Sequence, residues 1–314
     1  MRAIGVVEFG GPEQLRVVDV SEPHPGPGEV RIRVHAAAVN PTDLGFCAGM
    51  RRELLRDMPP PHVPGMDAAG MISEVGKGAP WTIGDEVMAV VVPTARPHGG
   101  AYADHVVVPA ESVVRIPAGA DFAGASTLPM NGLTAWLALE MLGLSVGQTL
   151  AVTGAAGAVG GYVVQLAKVA HLHVIADASQ KDEPLVRNLG ADELVRRGDD
   201  VADRIRGLVP EGVDGVVDGA VLNGLVAPAV RDGGGLVVVR GWSGEPGRGI
   251  TVHQVGVVAQ VRNTGALERL RQVAGDGAVT LRVARVLPAS QAAEAHRMLA
   301  AGGVRGRLVL DFSR

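Results

Sequence analysis

A glycine-rich turn in the middle of the chain constrains the fold more than any other feature of the sequence. The apolar run Thr149–Thr153 leads into Gly154-Ala-Ala-Gly157-Ala-Val-Gly160, and a helical pattern continues to Lys168. Glycines at these three positions let the backbone turn tightly and let a phosphate come close. The N–H groups and the dipole of the new helix then face that phosphate. The stretch therefore predicts a dinucleotide-binding strand–turn–helix unit.

The sequence around this turn makes the interpretation more specific, because a glycine triplet alone also occurs in flexible loops. Further strands are predicted at Leu172–Asp177, Val213–Asp218 and Leu236–Arg240. Helical patterns are found between them, at Pro184–Leu189, Val201–Leu208 and Leu222–Val230. Alternating strands and helices predict an α/β fold with a doubly wound parallel sheet.

The parts of the chain on either side have a different composition. Residues 1 to about 122 are rich in β-type segments separated by glycine and proline, which is typical of a partly open β-barrel. Strands are predicted there at Val30–Val39, Met71–Val75, Glu86–Val92 and Ala103–Val108. The C-terminal part is predicted to contain a helix that starts after Asn263, a strand at Leu281–Leu287, a helix at Gln291–Ala300 and a strand at Arg307–Phe312.

Length, charge and cysteine content exclude several classes of protein. A chain of 314 residues suits two domains, and a net charge of −4 gives no general attraction to nucleic acid or to an anionic membrane. The single cysteine, Cys47, excludes an internal disulfide and any multi-cysteine metal site. No segment has the pattern of a signal peptide or of a membrane-spanning helix. We therefore expect a soluble cytoplasmic protein with a small-molecule substrate.

Seven short motifs occur in a fixed order along the chain. They are Asn40–Asp43, Pro64–Gly70, Gly84–Val87, Gly99–Ala103, Thr134-Ala135, Gly154–Gly160 and Gly303–Leu310. In these motifs the chain resembles the medium-chain dehydrogenases/reductases, and among them the zinc-independent quinone oxidoreductases. The resemblance spans nearly the whole chain. It implies a GroES-like β-barrel domain, residues 1–122 with 263–314, and a Rossmann NADP-binding domain, residues 123–262, with the cofactor in the cleft between them.

The same resemblance argues against a metal site. Zinc alcohol dehydrogenases carry a ligand cysteine where this chain has Asn40, and a Gly-His-Glu where it has Gly65-Met66-Asp67. An amide is a poor zinc ligand and a thioether is a weaker one. Without a Lewis acid, alcohol oxidation loses its usual means of stabilising an alkoxide. Reduction of a quinone or an activated C=C bond needs no metal, because conjugation already makes the accepting carbon electrophilic.

The resemblance implies that Asn40 and Thr134 are the catalytic residues, beside the nicotinamide ring and the reacting carbonyl. An amide N–H there would stabilise a developing enolate, as oxyanion-hole donors do. The alternative is that Asn40 only holds its loop through side-chain-to-backbone hydrogen bonds. Asp43 and Asp67 are interpreted as structural residues that tie this loop to the barrel.

The substrate pocket departs from the family. Two tyrosines that are common in relatives align with Gly45 and Arg51, so we expect a wider pocket with two fewer hydroxyl groups. Arg51, Arg52 and Arg56 could receive an anionic substrate handle or could form a solvated charged loop. Cys47 could react with an enone, although a lone cysteine is more often a small buried hydrophobe.

The choice of cofactor depends on the end of the second Rossmann strand, where an acidic residue binds the ribose of NAD and repels the 2′-phosphate of NADP. Asp177 is acidic but aligns one position early, whereas Ser179 matches the NADPH pattern and Lys181 and Arg197 supply positive charge. We therefore predict NADPH, with NADH as the alternative. The predicted cofactor-binding residues are Asn40, Thr134, Gly154, Ala156, Gly157, Ala158, Val159, Gly160, Asp177, Ser179, Lys181, Arg197, Gly241 and Trp242.

These features together predict a zinc-independent, NADPH-dependent oxidoreductase that transfers a hydride to a quinone or an α,β-unsaturated carbonyl compound. Two alternatives stay open, an enoyl-thioester reductase of a biosynthetic pathway and an NADPH-binding protein without catalysis. A homodimer is also expected. Gly249–Val258 is predicted to form an edge strand, and relatives pair this strand with its copy across a two-fold axis.

Overall fold

A computed structural model describes residues 1–313. The strands are β1 (Arg2–Gly5), β2 (Arg16–Asp19), β3 (Glu29–Val39), β4 (Asp67–Val75), β5 (Glu86–Val90), β6 (His105–Pro109), β7 (Val113–Arg115), β8 (Thr149–Thr153), β9 (His173–Ala178), β10 (Glu193–Arg196), β11 (Val213–Asp218), β12 (Val230–Val238), β13 (Thr251–Gln254), β14 (Val283–Pro288) and β15 (Arg307–Asp311). The α-helices are α1 (Pro41–Cys47), α2 (Phe122–Ser126), α3 (Pro129–Leu142), α4 (Ala158–Val169), α5 (Glu183–Asn188), α6 (Val201–Leu208), α7 (Thr264–Gly275) and α8 (Ala292–Ala300). None of these helices has the length and hydropathy needed to cross a membrane.

The chain divides into two compact units. Unit 1 comprises Met1–Met130, Val258–Asp276 and the chain from Leu281 onward, and unit 2 comprises Asn131–Val257 and Gly277–Thr280. The domain limits that the sequence suggests, after residues 122 and 262, stay predictions.

Unit 1 is built on a seven-stranded sheet in the order β14-β15-β3-β4-β5-β7. Strand β6 pairs with the first part of β3, residues 29–33, whereas β15 pairs with residues 36–39. The central strand β3 alternates buried Val30, Ile32 and Val34 with less buried residues, as a strand with one covered face should. Strand β15 pairs antiparallel with β3, so the end of the chain returns to the N-terminal sheet. This arrangement confirms the GroES-like fold that the resemblance implies.

Unit 2 contains a six-stranded sheet in the order β10-β9-β8-β11-β12-β13, in which every pair is parallel. The glycine turn follows β8 directly, at the centre of the sheet, and α4 begins in it. The predicted doubly wound α/β fold is therefore confirmed. Strand β11 and helix α6 have the limits that the sequence pattern predicts.

The predicted helix at Leu222–Val230 is wrong. This segment forms two single 3-10 turns, Asn223–Leu225 and Ala227–Ala229. Val221 and Asn223 have φ values of 60° and 53°, which lie outside the α-helical region, and Pro228 cannot donate a helical hydrogen bond. The apolar periodicity of the segment reflects burial of single residues, not a helix.

The predicted strand at Gly249–Val258 is shorter than expected. Strand β13 contains only Thr251–Gln254, and Val257–Gln260 form a 3-10 turn. The N–H group of Val255 still donates to the carbonyl of Val238, but that residue is the last of β12. The strand therefore ends because its partner ends.

We propose that β13 mediates a homodimer, because it is the last strand of its sheet and its outer edge offers N–H and C=O groups to a second copy. The Val255 bond implies that the N–H of His253 faces β12, and that the N–H of Val252 faces outward, because parallel ladders alternate. We expect Val252→Pro to convert a dimer into a folded monomer. Light scattering at micromolar concentration checks this, and a monomeric mass for the wild type would contradict the proposal.

Candidate active site

The turn after β8 has a geometry that only glycine allows at two positions. Gly154 has a φ of 67°, and a Cβ there would lie 2.8 Å from the backbone carbon of Gly219. A Cβ at Gly160 would overlap the carbonyl oxygen of Gly154. Gly157, at the N-cap of α4, donates its N–H to the Gly154 carbonyl at 2.8 Å. The turn is thus a closely packed cradle at a helix N-terminus, which fits a phosphate.

Asp177, near the end of β9, accepts a hydrogen bond from the backbone of this turn. Its Oδ1 accepts the N–H of Ala155 at 3.1 Å, and its Oδ2 accepts the Nε–H of Arg197 at 3.0 Å. The carboxylate is almost fully buried, with 1% of it exposed, whereas 40% of the Arg197 side chain is exposed. Asp177 therefore braces the phosphate turn and is neutralised by Arg197. Sequence reasoning missed this role, although the one-position offset of Asp177 was a signal.

The remaining predicted cofactor residues also lie in unit 2, with the exception of Asn40. Ala156, Ala158 and Val159 belong to the turn and the first turn of α4, and Thr134 is buried in α3. Ser179 donates its hydroxyl to Asp182, and Lys181 is exposed. Gly241 and Trp242 follow β12, and the indole packs on the apolar core of unit 2. Their contact with a cofactor stays a prediction.

In unit 1, Asn40 is fully buried at the N-cap of α1. Its backbone N–H donates to Asp43 Oδ2 at 2.8 Å, and its side-chain Nδ2 donates to Asp67 Oδ2 at 2.7 Å. The other oxygen of Asp67 accepts the N–H of Met130 at 2.6 Å. These contacts tie the loop to Asp43 and Asp67, while the loop-holding alternative and the catalytic role of Asn40 both stay predictions.

Asp43 extends this network deeper into unit 1. Its Oδ1 accepts the N–H of Gly65 at 3.2 Å, and its Oδ2 accepts the hydroxyl of Tyr102 at 3.2 Å. The Tyr102 hydroxyl also lies 3.3 Å from Nε2 of His296 on α8. Sequence reasoning missed Tyr102 and His296. The signal for His296 was a lone imidazole on a helix face whose other buried residues are alanines.

Comparisons with known proteins agree with this geometry. The alcohol dehydrogenase GroES-like domain matches residues 26–118, and the family described as zinc-binding dehydrogenase matches residues 189–310. A chloroplastic quinone oxidoreductase of Triphysaria versicolor is 35% identical over 62% of this chain and 60% of its own length. The matching segments span 50% to 60% of the length of three curated relatives, two of them chloroplast quinone oxidoreductases or homologues and one a human protein described as synaptic vesicle membrane protein VAT-1 homolog-like.

Solved structures match over the whole chain. A structure described as an NAD-dependent alcohol dehydrogenase is 30% identical, covers 100% of both chains and has a TM-score of 0.87. A mycobacterial protein solved with NADPH is 27% identical over 99% of both chains, also with a TM-score of 0.87. The chain belongs to the medium-chain dehydrogenase/reductase superfamily, in its quinone oxidoreductase-like family.

The residues at the zinc-ligand positions of zinc-dependent members of this superfamily do not fit a metal here. The amide of Asn40 points an N–H donor at Asp67, and both oxygens of that carboxylate accept hydrogen bonds. Among residues 1–313, no three histidine, cysteine, aspartate or glutamate side chains are grouped so that they could hold an ion. Amide donors and thioethers are weak ligands for zinc. The local chemistry is that of a hydrogen-bonded core, not a coordination sphere.

Burial is the largest cause of the pKa shifts of the titratable groups around Asn40. Loss of hydration raises the pKa of Asp43 and that of Asp67 to about 7, although Arg307 acts against the rise at Asp67. Burial lowers the pKa of His296 to about 4, so its imidazole is neutral. Burial also raises the pKa of the Cys47 thiol, which is inaccessible. Cys47 therefore has the environment of a small buried hydrophobe and not of a reactive thiolate.

The raised pKa values give the protein a definite pH dependence of stability. Asp43 and Asp67 bind protons more tightly in the folded chain than at their ordinary pKa of 3.8. We therefore expect the free energy of unfolding to fall as the pH rises from about 4 through 7, by at most about 1.4 kcal/mol per pH unit for each proton that only the folded chain still holds, and to level off by about pH 8. His296 acts in the opposite direction only below pH 6.5, because its folded pKa is lowered.

Urea denaturation at several pH values measures this slope. Asp67→Asn should flatten it, whereas Asp57→Asn, which removes an exposed carboxylate, is the control. A wild-type stability that is constant or increases from pH 6.5 to 8 would contradict the shifted pKa values.

The glycine turn generates a second prediction. A side chain at Gly157 would stand between the start of α4 and a bound pyrophosphate, and its Cβ would already lie 3.0 Å from the Gly154 carbonyl oxygen. We expect Gly157→Val to weaken NADPH binding at least tenfold, about 1.4 kcal/mol. Calorimetry measures the affinity, with Gly207→Val as a control because a Cβ there meets nothing within 4 Å. Equal affinity in a folded Gly157→Val variant would rule out this site.

Proposed function

We propose that this protein is a zinc-independent, NADPH-dependent reductase of quinones or α,β-unsaturated carbonyl compounds. The hydrogen bond from Asn40 Nδ2 to Asp67 Oδ2 is the observation that carries the proposal. This bond joins the side chains of Asn40 and Asp67, which stand at positions that supply metal ligands in zinc-dependent members of the superfamily. Chemistry that needs no Lewis acid then remains, and addition of a hydride to a conjugated acceptor is of that kind.

Each part of the chain has a defined task in this proposal. When bound, NADPH supplies a hydride from C4 of its nicotinamide. The turn at Gly154, Gly157 and Gly160 holds the pyrophosphate, and Asp177 keeps that turn in shape through Ala155. The Asn40 amide stabilises negative charge on the oxygen of the reacting carbonyl. The enolate oxygen or carbon then takes a proton from solvent.

The preference for NADPH is supported by the Asp177–Arg197 pair. An unpaired carboxylate at the end of the second strand would repel a 2′-phosphate, but here both oxygens of Asp177 accept hydrogen bonds within the chain. Arg197 balances its charge and keeps a partly exposed guanidinium. One similar structure contains NADPH, and another is described as NAD-dependent. The balance of charge in this chain favours NADPH.

Removal of Arg197 tests the choice of cofactor. Arg197→Ala leaves Asp177 with an uncompensated charge and removes a donor for the phosphate, so we expect the affinity for NADPH to fall tenfold or more. Charge-assisted hydrogen bonds of this type are worth about 1.5–3 kcal/mol. Binding of NADH should change much less. Calorimetry with both cofactors gives the ratio.

Asp177→Asn is the matched variant, because an amide oxygen can still accept the N–H of Ala155 while the charge is lost. It should shift the ratio toward NADPH. A wild-type preference for NADH that Asp177→Asn abolishes would instead show that Asp177 binds the ribose hydroxyls.

Exposed arginines favour a second candidate function, reduction of enoyl thioesters. Arg51, Arg52 and Arg56 are exposed, and within residues 1–313 none of them forms an ion pair. Unpaired guanidinium groups are suited to the phosphate of a thioester carrier. This candidate uses the same hydride transfer and differs in the substrate, which would carry a phosphate group for the arginines to bind.

A panel of quinones, enones and acyl thioesters separates these candidates. We expect NADPH oxidation with at least one quinone or enone, no stoichiometric metal in the purified protein and full activity after treatment with EDTA. Activity on thioesters that is lost in the double variant Arg51→Gln, Arg52→Gln would favour the second candidate. Tight NADPH binding without any oxidation would indicate a binding protein, and one zinc per chain with loss of turnover in EDTA would contradict the proposal.

A further inference from the structure

A continuous chain of buried polar groups runs through unit 1 from α8 to the loop of Asn40. It begins at His296 and continues through the Tyr102 hydroxyl to the Asp43 carboxylate and the Asn40 backbone N–H, with links of 3.3, 3.2 and 2.8 Å. All four residues are at most 1% exposed. The surrounding cluster is apolar and includes Phe46, Cys47 and Val63 among others. Burying these groups is costly unless each of them is hydrogen-bonded.

The Tyr102 hydroxyl has two partners and one proton, which fixes the direction of the bonds. An ionised Asp43 only accepts, so Tyr102 must donate to it and must accept from the Nε2–H of neutral His296. If Asp43 Oδ2 takes up a proton, that oxygen becomes a donor and the direction reverses. The same oxygen holds the N–H of Asn40. The state of Asp43 is therefore coupled to how firmly the Asn40 loop is held.

Charged groups around Asp43 do not compensate for its burial. Asp67 opposes ionisation of Asp43, and the cation of this region, Arg307, acts on Asp67. The thiol of Cys47 stays protonated. The hydrogen bonds from Asn40, Gly65 and Tyr102 are what favour the ionised form. Tyr102 is the side chain among these three donors, and burial raises its own pKa, so its proton stays in place.

We propose that Tyr102 and His296 are positioning residues for the active site. Oriented by His296, the hydroxyl of Tyr102 favours the ionised form of Asp43, and Asp43 in turn fixes Asn40. This inference rests on the proposed function only through the role given to Asn40. It links the C-terminal helix α8, which packs against α1, to the residue beside the reacting carbonyl.

Kinetics of Tyr102→Phe test the inference, since the variant keeps the ring and removes only the hydroxyl. We expect kcat to fall about tenfold while the KM for NADPH changes less than twofold, because the glycine turn is untouched. The wild-type kcat should rise with pH around 7 as Asp43 ionises. In Tyr102→Phe this rise should move up by about one pH unit, the effect of one lost charge-assisted hydrogen bond.

Two variants at His296 separate positioning from packing. His296→Gln keeps a polar group that can bond to the Tyr102 hydroxyl, and it should retain most of the wild-type kcat. His296→Leu removes that partner and should lower kcat toward that of Tyr102→Phe. Cys47→Ala is the control, since it opens a cavity in the same cluster and removes none of the hydrogen bonds between His296, Tyr102, Asp43 and Asn40, so it should lower stability and leave the pH profile in place. Equal kcat values and pH profiles in Gln and Leu variants would overturn the role of His296.

A measurement without turnover distinguishes this inference from the proposed function. The ¹³Cγ NMR signal of Asp43, assigned by its loss in Asp43→Asn, should titrate near pH 7 in the wild type. Its midpoint should be about one unit higher in Tyr102→Phe. An unchanged midpoint overturns the positioning role even if the enzyme reduces quinones. A shifted midpoint in a protein that oxidises no NADPH upholds the link and refutes the function.

Discussion

Two carboxylic acids buried in the apolar core of unit 1 determine how its central loop is arranged. Asp43 and Asp67 together accept hydrogen bonds from backbone N–H groups of Asn40, Gly65 and Met130, and from the amide of Asn40. A buried carboxylate without these donors would cost several kcal/mol. The loop has no freedom to move unless it gives up these bonds. The position of Asn40 is therefore set by its hydrogen bonds to two buried carboxyl groups.

Unit 2 uses the same device at the carboxyl ends of its parallel strands. Asp177 accepts the N–H of Ala155, and Asp218 at the end of β11 accepts the hydroxyl of Thr153 and the N–H of Asn223. Both carboxylates are nearly inaccessible. Loops at this edge of an α/β sheet bind ligands. Buried aspartates thus hold the loops at this edge through hydrogen bonds to the N–H groups of Ala155 and Asn223.

The sequence was sufficient for the fold because its signals are local. The glycine turn, the alternation around it and the apolar periodicity of β3 each depend on a few neighbouring residues. The prediction of a helix at Leu222–Val230 was wrong because apolar periodicity carries no information on backbone dihedral angles. Val221, just before this segment, adopts a φ that β-branched residues rarely take. Partners far apart along the chain were also out of reach. Tyr102 and His296 are in contact although 194 positions separate them along the chain. Asp177 lies near the end of β9 and pairs with Arg197, which directly follows β10. Sequence patterns gave the residue types at these positions but not their contacts.

The connection between β11 and β12 has a consequence for how this chain can vary. Parallel neighbours need a crossover of about a dozen residues, usually with a helix, and here two 3-10 turns cover the distance. The indole of Trp242, from the loop after β12, covers part of the apolar surface of this unit. A crossover near its minimum length can be extended but not shortened. Insertions at this point would extend into solvent, whereas deletions would pull two paired strands apart. We therefore expect this connection to tolerate insertions but not deletions.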